Sequence, residues 1–99
     1  MVLAALADER RHGYGVIQEV ERLSNGRTRL RAGTLYATLD RLAQDGLVSV
    51  AGEEVVDGRM RRYYQLTAQG TDTLATESRR RMVVSKEVLR RLRIAGWPS

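Results

Sequence analysis

The chain has 99 residues, with 17 Lys and Arg against 12 Asp and Glu, a formal net charge of +5 and no cysteine. This length allows one domain with a modest core, and the lack of cysteine excludes disulfides, thiolate nucleophiles and thiolate metal sites. All cations except Lys86 are arginine, which is typical of proteins that bind phosphate groups but also of basic proteins from arginine-rich genomes.

The first third of the chain predicts two helices. Residues 1–7 are apolar helix formers that stop at a polar turn ending in His12-Gly13. From Tyr14 to Ser24, apolar residues recur at helical spacing, and Asn25-Gly26 then provides a left-handed stop. The first helix has barely two turns, so it needs a packing partner, unless the natural chain begins earlier.

A third helix begins near Ala32 and ends at Gly46, with Leu35, Leu39 and Leu42 in one apolar stripe. The residues 28–30 before it are extended at best. Small and polar side chains occupy the face opposite the stripe. Such a face is suited to lying in a groove of a larger partner.

A β-hairpin follows, because residues 47–56 and 59–66 are rich in β-branched and aromatic side chains. Asp57-Gly58 between them is a strong signal for a two-residue type I′ turn. The loop length sets a register that pairs Val56 with Arg59 and Val50 with Gln65.

Thr67 can cap a last helix over residues 68–95, which would be about 42 Å long. Its arginine runs, 79–81 and 90–91, lie mostly off an apolar seam, and an uncovered seam implies a partner chain. The tail, Gly96–Ser99, predicts a frayed end. The apolar residues that we expect to form dimer contacts are Leu3, Leu6, Leu74, Met82, Val88, Leu89 and Leu92.

Three helices, a basic hairpin and a long final helix follow the order of a winged helix-turn-helix. Six short motifs strengthen this interpretation, and with them the chain over residues 2–75 resembles the PadR family of transcriptional regulators. The motifs are His12-Gly13-Tyr14-Gly15, Gly33-Thr34-Leu35-Tyr36, Arg41-Leu42, Asp45-Gly46-Leu47-Val48, Gly58-Arg59-Met60-Arg61-Arg62-Tyr63-Tyr64 and Leu66-Thr67-Ala68-Gln69-Gly70.

The resemblance implies a homodimeric repressor whose C-terminal helix supplies dimer contacts. Two features depart from the family pattern. Arg31-Ala32 stand where a Ser or Asn cap and a proline are usual, and we hypothesise that Arg31 is kept to contact a phosphate. No aromatic residue lies near Arg81, where some relatives stack flat ligands, so Trp97 is either a tail anchor or, less plausibly, a ligand platform.

The expected fold is therefore mainly α with a small β-hairpin, divided into a DNA-binding domain (1–67), a dimerisation helix (68–95) and a tail (96–99). Candidate contacts to double-stranded DNA come from the second helix, the third helix and the wing. Arg59 and Arg61 rank first in the wing, because strand alternation places Arg61 and Arg62 on opposite faces. The full candidate set is Tyr14, Arg31, Thr34, Tyr36, Thr38, Arg41, Arg59, Arg61 and Arg62.

Several of these residues keep a structural alternative. The ring of Tyr14 is expected to pack inward with its hydroxyl on a phosphate, and the alternative is a purely structural tyrosine. Tyr36 could instead be a core ring against the hairpin. Arg41 could pair with Asp45 one turn along the helix. Of Tyr63 and Tyr64, one should be in the core and one on the surface.

Enzyme and membrane functions find little support. His12 is the only histidine, there is no phosphate-binding or dinucleotide glycine pattern, and the carboxylates lack metal-ligand spacing. We therefore expect a cytoplasmic protein without catalytic activity, cofactor or membrane segment, working as a homodimer on DNA with a small-molecule effector left open. The alternative is a winged helix that serves as a protein-interaction or adaptor module.

Overall fold

The computed structural model describes residues 1–96. Its elements follow in the order α1 (Val2–Ala5), β1 (Arg11–His12), α2 (Gly13–Leu23), α3 (Ala32–Gln44), β2 (Val48–Val56), β3 (Arg59–Leu66) and α4 (Ala68–Ile94). Trp97 and the rest of the predicted tail beyond Gly96 lie outside the described residues. The mainly helical fold with a small sheet and a long last helix agrees with the sequence prediction, although α1 is shorter than the seven residues expected.

The sheet has a third strand that the sequence does not predict. Arg11 and His12 form β1, which runs antiparallel to β3 opposite Tyr64 and Tyr63, so the strand order is β1-β3-β2. A strand of two residues is too short to show any alternation of apolar and polar side chains. The segment that resembled a simple polar turn therefore closes the edge of the wing sheet.

The hairpin has the predicted turn but not the predicted register throughout. Asp57 and Gly58 have φ of 52° and 75°, as a type I′ turn requires, and Val56 pairs with Arg59. The predicted pairing of Val50 with Gln65 is wrong, because a β-bulge between Val50 and Gly52 shifts the register and places Val50 opposite Tyr64. Counting back from the turn cannot reveal an extra residue in one strand.

The helices α2 and α3 end just before the residues that the sequence predicts as helix stops. Asn25 and Gly26 have φ of 54° and 79° just beyond α2. Gly46, with φ of 76°, follows α3, and the amide of Leu47 donates to the carbonyl of Leu42 over 2.9 Å. This bond closes the C-terminal turn of α3 and directs the chain into β2.

The core is formed where α1, α2, α3 and the base of the hairpin meet. Its fully buried side chains include Val16 and Val20 from α2 and Leu35 and Leu39 from α3. Leu6, expected in a dimer contact, belongs to this core and is only 3% exposed, because α1 folds onto α2 within one chain. Leu6 is therefore not available for contact with a partner.

The start of α4 is anchored to the end of α3. The Thr67 hydroxyl accepts from the Gly70 amide over 3.0 Å, as predicted for an N-cap, and donates to the Gly46 carbonyl over 2.6 Å. A methyl group on Gly70 would lie 2.9 Å from the Leu47 carbonyl carbon and closer still to its oxygen. Only glycine therefore allows α4 to begin this close to β2.

Beyond its first two turns, α4 projects away from the rest of the chain. The described chain measures 59 × 28 × 20 Å along its principal axes, and Thr73, Leu74 and Ala75 are half-buried, whereas residues 76–94 are exposed except for Glu87. We call residues 1–75 the winged unit and residues 76–94 the outer half of α4. The first two turns of α4 pack on the preceding elements and are counted with the winged unit. The domain boundary predicted between residues 67 and 68 stays a prediction.

Candidate nucleic-acid interface

The helix α3 presents one buried and one open face. Leu35 and Leu39 are fully buried, and at about 100° per residue the opposite side carries Thr34, Ala37 and Arg41, all exposed. The predicted alternative for Arg41 does not form, because no carboxylate lies within 4.0 Å of its guanidinium in residues 1–96. Arg41 therefore keeps all its donors free on the open face.

Thr38 lies at the edge of this face and not on it. Its hydroxyl donates to the Thr34 carbonyl over 2.9 Å, one turn back along α3. The side chain is half-buried and lines a shallow apolar groove with Leu30 and Leu42. A contact of Thr38 with DNA is therefore less favoured than contacts of Thr34 and Arg41.

The N-terminus of α3 is open. Arg31 is the N-cap residue, with extended backbone at φ −83° and ψ 148°, and its side chain accepts no capping hydrogen bond. The amides of the first turn therefore lack a side-chain partner, and an exposed guanidinium stands beside them. Both features suit an anionic group at this point.

Two tyrosines flank α3 in different ways. The Tyr14 side chain is 65% exposed, so the prediction that its ring packs inward is wrong. Tyr36 is 46% exposed and lies over the start of α2, where a methyl group on Gly13 would come within 2.8 Å of its Cζ atom. Gly13 therefore provides the space that positions Tyr36.

The wing separates its arginines by face and by partner. Arg62 Nε donates to the Glu53 carboxylate over 3.0 Å, and Arg62 lines a cleft with Tyr36 and Asp40 on the α3 side of the sheet. Arg59 and Arg61 are exposed, and no carboxylate lies within 4.0 Å of either within residues 1–96. Arg61 and Arg62 thus lie on opposite faces, and the two free arginines are those ranked first from the sequence.

A cluster around Tyr63 joins α2 to the wing. His12 Nδ1 accepts from the Gly15 amide over 3.2 Å and so caps α2, while the His12 and Tyr63 rings meet edge to face at 5.6 Å. Arg10 lies 5.0 Å above the Tyr63 ring, and the Tyr63 hydroxyl donates to Glu54. Tyr64 is buried and Tyr63 is half-buried, so Tyr64 is the tyrosine that belongs to the core.

Charge and burial set the protonation of this cluster. Burial lowers the pKa of His12, the positive charge of Arg61 lowers it further, and Glu54 opposes both. The hydrogen bond to Glu54 raises the pKa of Tyr63 above its usual range. The lowered pKa favours the neutral form of His12, in which Nδ1 can accept the capping hydrogen bond.

Arg11 is a structural residue that sequence reasoning overlooks. Its side chain is 18% exposed, its Nε donates to the Ala5 carbonyl over 2.8 Å, and its guanidinium lies 3.1 Å from Glu9 and 3.8 Å from Glu19. These contacts tie the end of α1 to β1 and α2. No periodic pattern identifies such a residue, because its partners come from three separate segments.

The described residues contain neither a cluster of metal-ligating side chains nor a membrane-spanning helix. Among residues 1–96, no group of three or more His, Asp and Glu side chains lies close enough to bind a metal ion. None of the helices in this part of the chain is long and apolar enough to cross a membrane.

Comparison with known proteins agrees with this architecture. Residues 2–76 match the model of the transcriptional regulator PadR-like family. The chain is 42% identical over 88 residues to a transcriptional regulator of Mycobacterium tuberculosis, a match that covers 89% of this chain and 78% of that protein.

Solved structures share the fold at lower sequence identity. A PadR-like transcriptional regulator of Bacillus cereus superposes with a TM-score of 0.74 at 22% identity, over 92% of this chain and 86% of that one. Bacillus subtilis PadR, solved in complex with operator DNA, gives a TM-score of 0.66 at 17% identity, over 76% of this chain and 42% of that one. The family match extends over residues 2–76, which is nearly the whole winged unit, and the chain belongs to the PadR-like family of transcriptional regulators.

Proposed function

We propose that this chain is a homodimeric repressor that binds a palindromic operator, with α3 in the major groove and the wing on the flanking backbone. The observation that carries the proposal is the open face of α3. The side chains of Thr34, Ala37 and Arg41 project from it without a side-chain partner among residues 1–96, and small or bidentate side chains of this kind suit contact with base edges and phosphates.

The surroundings of α3 supply the phosphate contacts in this proposal. Tyr14 is exposed beside the helix, the half-exposed Tyr36 lies against the start of α2, and Arg31 stands at the uncapped N-terminus of α3. Arg59 and Arg61 in the wing have no carboxylate partner within residues 1–96. Bacillus subtilis PadR, which shares this fold, has been solved in complex with operator DNA, and this supports DNA as the partner proposed here. Arg62 and Thr38 contribute less, because each already has a partner within the chain.

The dimer is proposed from the apolar side chains that the single chain leaves open. Met82, Val88, Leu89 and Leu92 are between 41% and 57% exposed on α4. A helix with such a seam gains stability only when another surface covers it. Leu74, which is half-buried, lies on the same side of α4, and the half-buried Leu3 of α1 is a further candidate for the dimer contact. A signal that rotates the two winged units about their α4 helices would break their register on DNA.

The wing contacts can be tested on the DNA upstream of the gene itself, with affinity measured at several salt concentrations. Each phosphate contact contributes about 0.9 to the slope of log K against log salt, so Arg59→Ala/Arg61→Ala should reduce that slope by about 1.8 and weaken binding. The double variant Arg80→Ala/Arg91→Ala, which removes the same charge from α4, is the matched control. Equal slopes for the wing variant and the wild type would contradict the proposed wing contacts.

The dimer geometry separates this function from an adaptor module. Operator binding by a dimer needs two α3 helices about 34 Å apart, or a multiple of that distance, on one side of the assembly. A crystal structure of the dimer measures this distance directly. A monomer in solution, or α3 helices facing opposite ways, would instead favour a winged helix that binds protein.

A further inference from the structure

The net positive charge of this protein does not lie on the winged unit. Residues 1–75 contain ten cations and ten acids and are formally neutral, whereas residues 76–94 contain seven cations and only Glu77 and Glu87 as acids. The outer half of α4 therefore carries a charge of +5, equal to that of the whole chain. The overall charge that first indicates a phosphate binder thus belongs to a segment outside the winged unit.

Most of these cations are free. Glu87 accepts from Arg90 over 2.7 Å and from Arg91 over 2.9 Å. No carboxylate lies within 4.0 Å of Arg79, Lys86 or Arg93 within residues 1–96, and all three side chains are exposed. Their charges are neutralised by no group within the described part of the chain.

These three cations form one line along α4. Each follows the last by seven residues, which is about 20° short of two full turns, so they stay on one side of the helix. We call them the basic stripe. Seven residues rise about 10.5 Å, close to the axial rise of about 10.2 Å for three base pairs. The stripe lies about 100° around the helix from the centre of the apolar seam and next to Met82 and Leu89 at its edge, so a partner helix centred on Val88 and Leu92 leaves it open.

We propose that the basic stripe of Arg79, Lys86 and Arg93 is a second phosphate-contacting surface, which binds duplex DNA without regard to sequence. The inference rests on the proposed function, which supplies the DNA. A duplex held by α3 and the wing is at a high effective concentration near α4. An anionic membrane is a weaker candidate, since an interfacial helix needs its apolar face in the lipid and the proposed dimer covers that face.

The test compares two double variants within the same helix, using a fluorescently labelled operator duplex and a duplex of scrambled sequence. Arg79→Gln/Arg93→Gln removes two charges from the stripe. Arg80→Gln/Arg91→Gln removes two charges of the same residue type from another side of α4. We expect the stripe variant to weaken both duplexes by the same factor and to reduce the salt slope by about 1.8, while the control keeps the wild-type slope. Sedimentation equilibrium checks that both variants keep the wild-type assembly.

The outcomes separate this inference from the proposed function. If the wing variant weakens operator binding and the stripe variant does not, the inference fails and the proposed function stands. If the stripe variant weakens both duplexes while the wing variant Arg59→Ala/Arg61→Ala changes nothing, the inference stands and the proposed function fails. Equal losses for the stripe and control variants would overturn the stripe, because net charge alone would explain them. Binding of the stripe to vesicles of phosphatidylserine and phosphatidylcholine, with no effect on duplex DNA, would also overturn it.

Discussion

Two motifs of this chain meet at one contact between Gly13 and Tyr36. The sequence shows each motif separately, and the periodicity of α3 predicts that Tyr36 borders an open face. It does not predict that Tyr36 rests on α2, because the two residues are distant in sequence and the contact needs the folded chain. The glycine is required here for space and not for its backbone angle.

Gly13→Ala should therefore destabilise the protein by about 1–3 kcal/mol, because the new methyl group would displace the Tyr36 ring. Urea denaturation measures the loss. Gly33→Ala is the control, since nothing lies within 4 Å of its added methyl group and alanine favours a helix more than glycine by about 1 kcal/mol. The cost at Gly13 should shrink when Tyr36 is also replaced by alanine, and additive effects would show that the two residues do not interact.

His12 makes the stability of α2 depend on pH. The unfolded chain binds a proton with a pKa near 6.5, whereas the folded chain has a lower pKa, so the unfolded state holds more protons between the two values. Stability therefore rises with pH across this interval and is lost on acidification below about pH 6.5. Protonation also removes the lone pair that accepts from Gly15.

His12→Asn keeps an N-cap acceptor that does not titrate. The variant should show a flatter dependence of unfolding free energy on pH between about 5.5 and 7.5 than the wild type, because His12 is the only histidine. Denaturant midpoints at a series of pH values measure the difference. Parallel pH profiles for the two proteins would show that His12 does not control this dependence.

At the scale of elements, helix ends are predictable and strand irregularities are not. Thr67, Asn25-Gly26 and Gly46 mark the ends of helices through local chemistry, and the structure places the ends of α2, α3 and α4 within two residues of the prediction. The strand β1 and the bulge near Ala51 leave no such mark. They depend on pairing between distant segments, which no local pattern records.

At the N-terminus of α3, a positively charged Arg31 stands where a capping side chain would stabilise the helix. Arg31→Ser should supply the missing cap and stabilise the protein by about 1 kcal/mol, while it weakens operator binding and lowers the salt slope by about 0.9. Thermal unfolding and duplex titration at several salt concentrations give the two quantities independently. Unchanged affinity and salt slope would refute a phosphate contact by Arg31, whatever the change in stability.

At the scale of the whole molecule, the total charge of the sequence conceals its distribution. The winged unit is formally neutral and the outer half of α4 is strongly basic. The residue counts needed to see this are available from the sequence, but the boundary between the two parts becomes clear only when residues 76–94 are seen to project from the rest. The DNA contacts proposed for the wing and α3 therefore depend on individual arginines and not on an overall positive charge of the winged unit.

The same distribution sets a prediction for the proposed dimer. Arg81 lies on the side of α4 that carries Leu74, Val88 and Leu92, so pairing two copies brings like charges together. Arg81→Met should tighten the dimer by about 1 kcal/mol, or about fivefold in Kd, and moderate salt should strengthen the wild-type dimer. Sedimentation equilibrium measures both, with Arg80→Met as the control. A dimer that weakens with added salt, or an Arg81 variant no tighter than the control, would exclude this arrangement.

The bulge near Ala51 divides the wing into two segments with separate constraints. Below it, Val48–Val50 pair with Tyr64–Leu66, and Val48 and Tyr64 belong to the core. Beyond Tyr63, which still pairs with His12 of β1, the two strands of the hairpin pair only with each other. Lengthening both strands above the bulge by two residues preserves every inward-facing position and extends the wing by about 6.7 Å. The reach of the hairpin can thus change in paired insertions or deletions during evolution without repacking the protein interior.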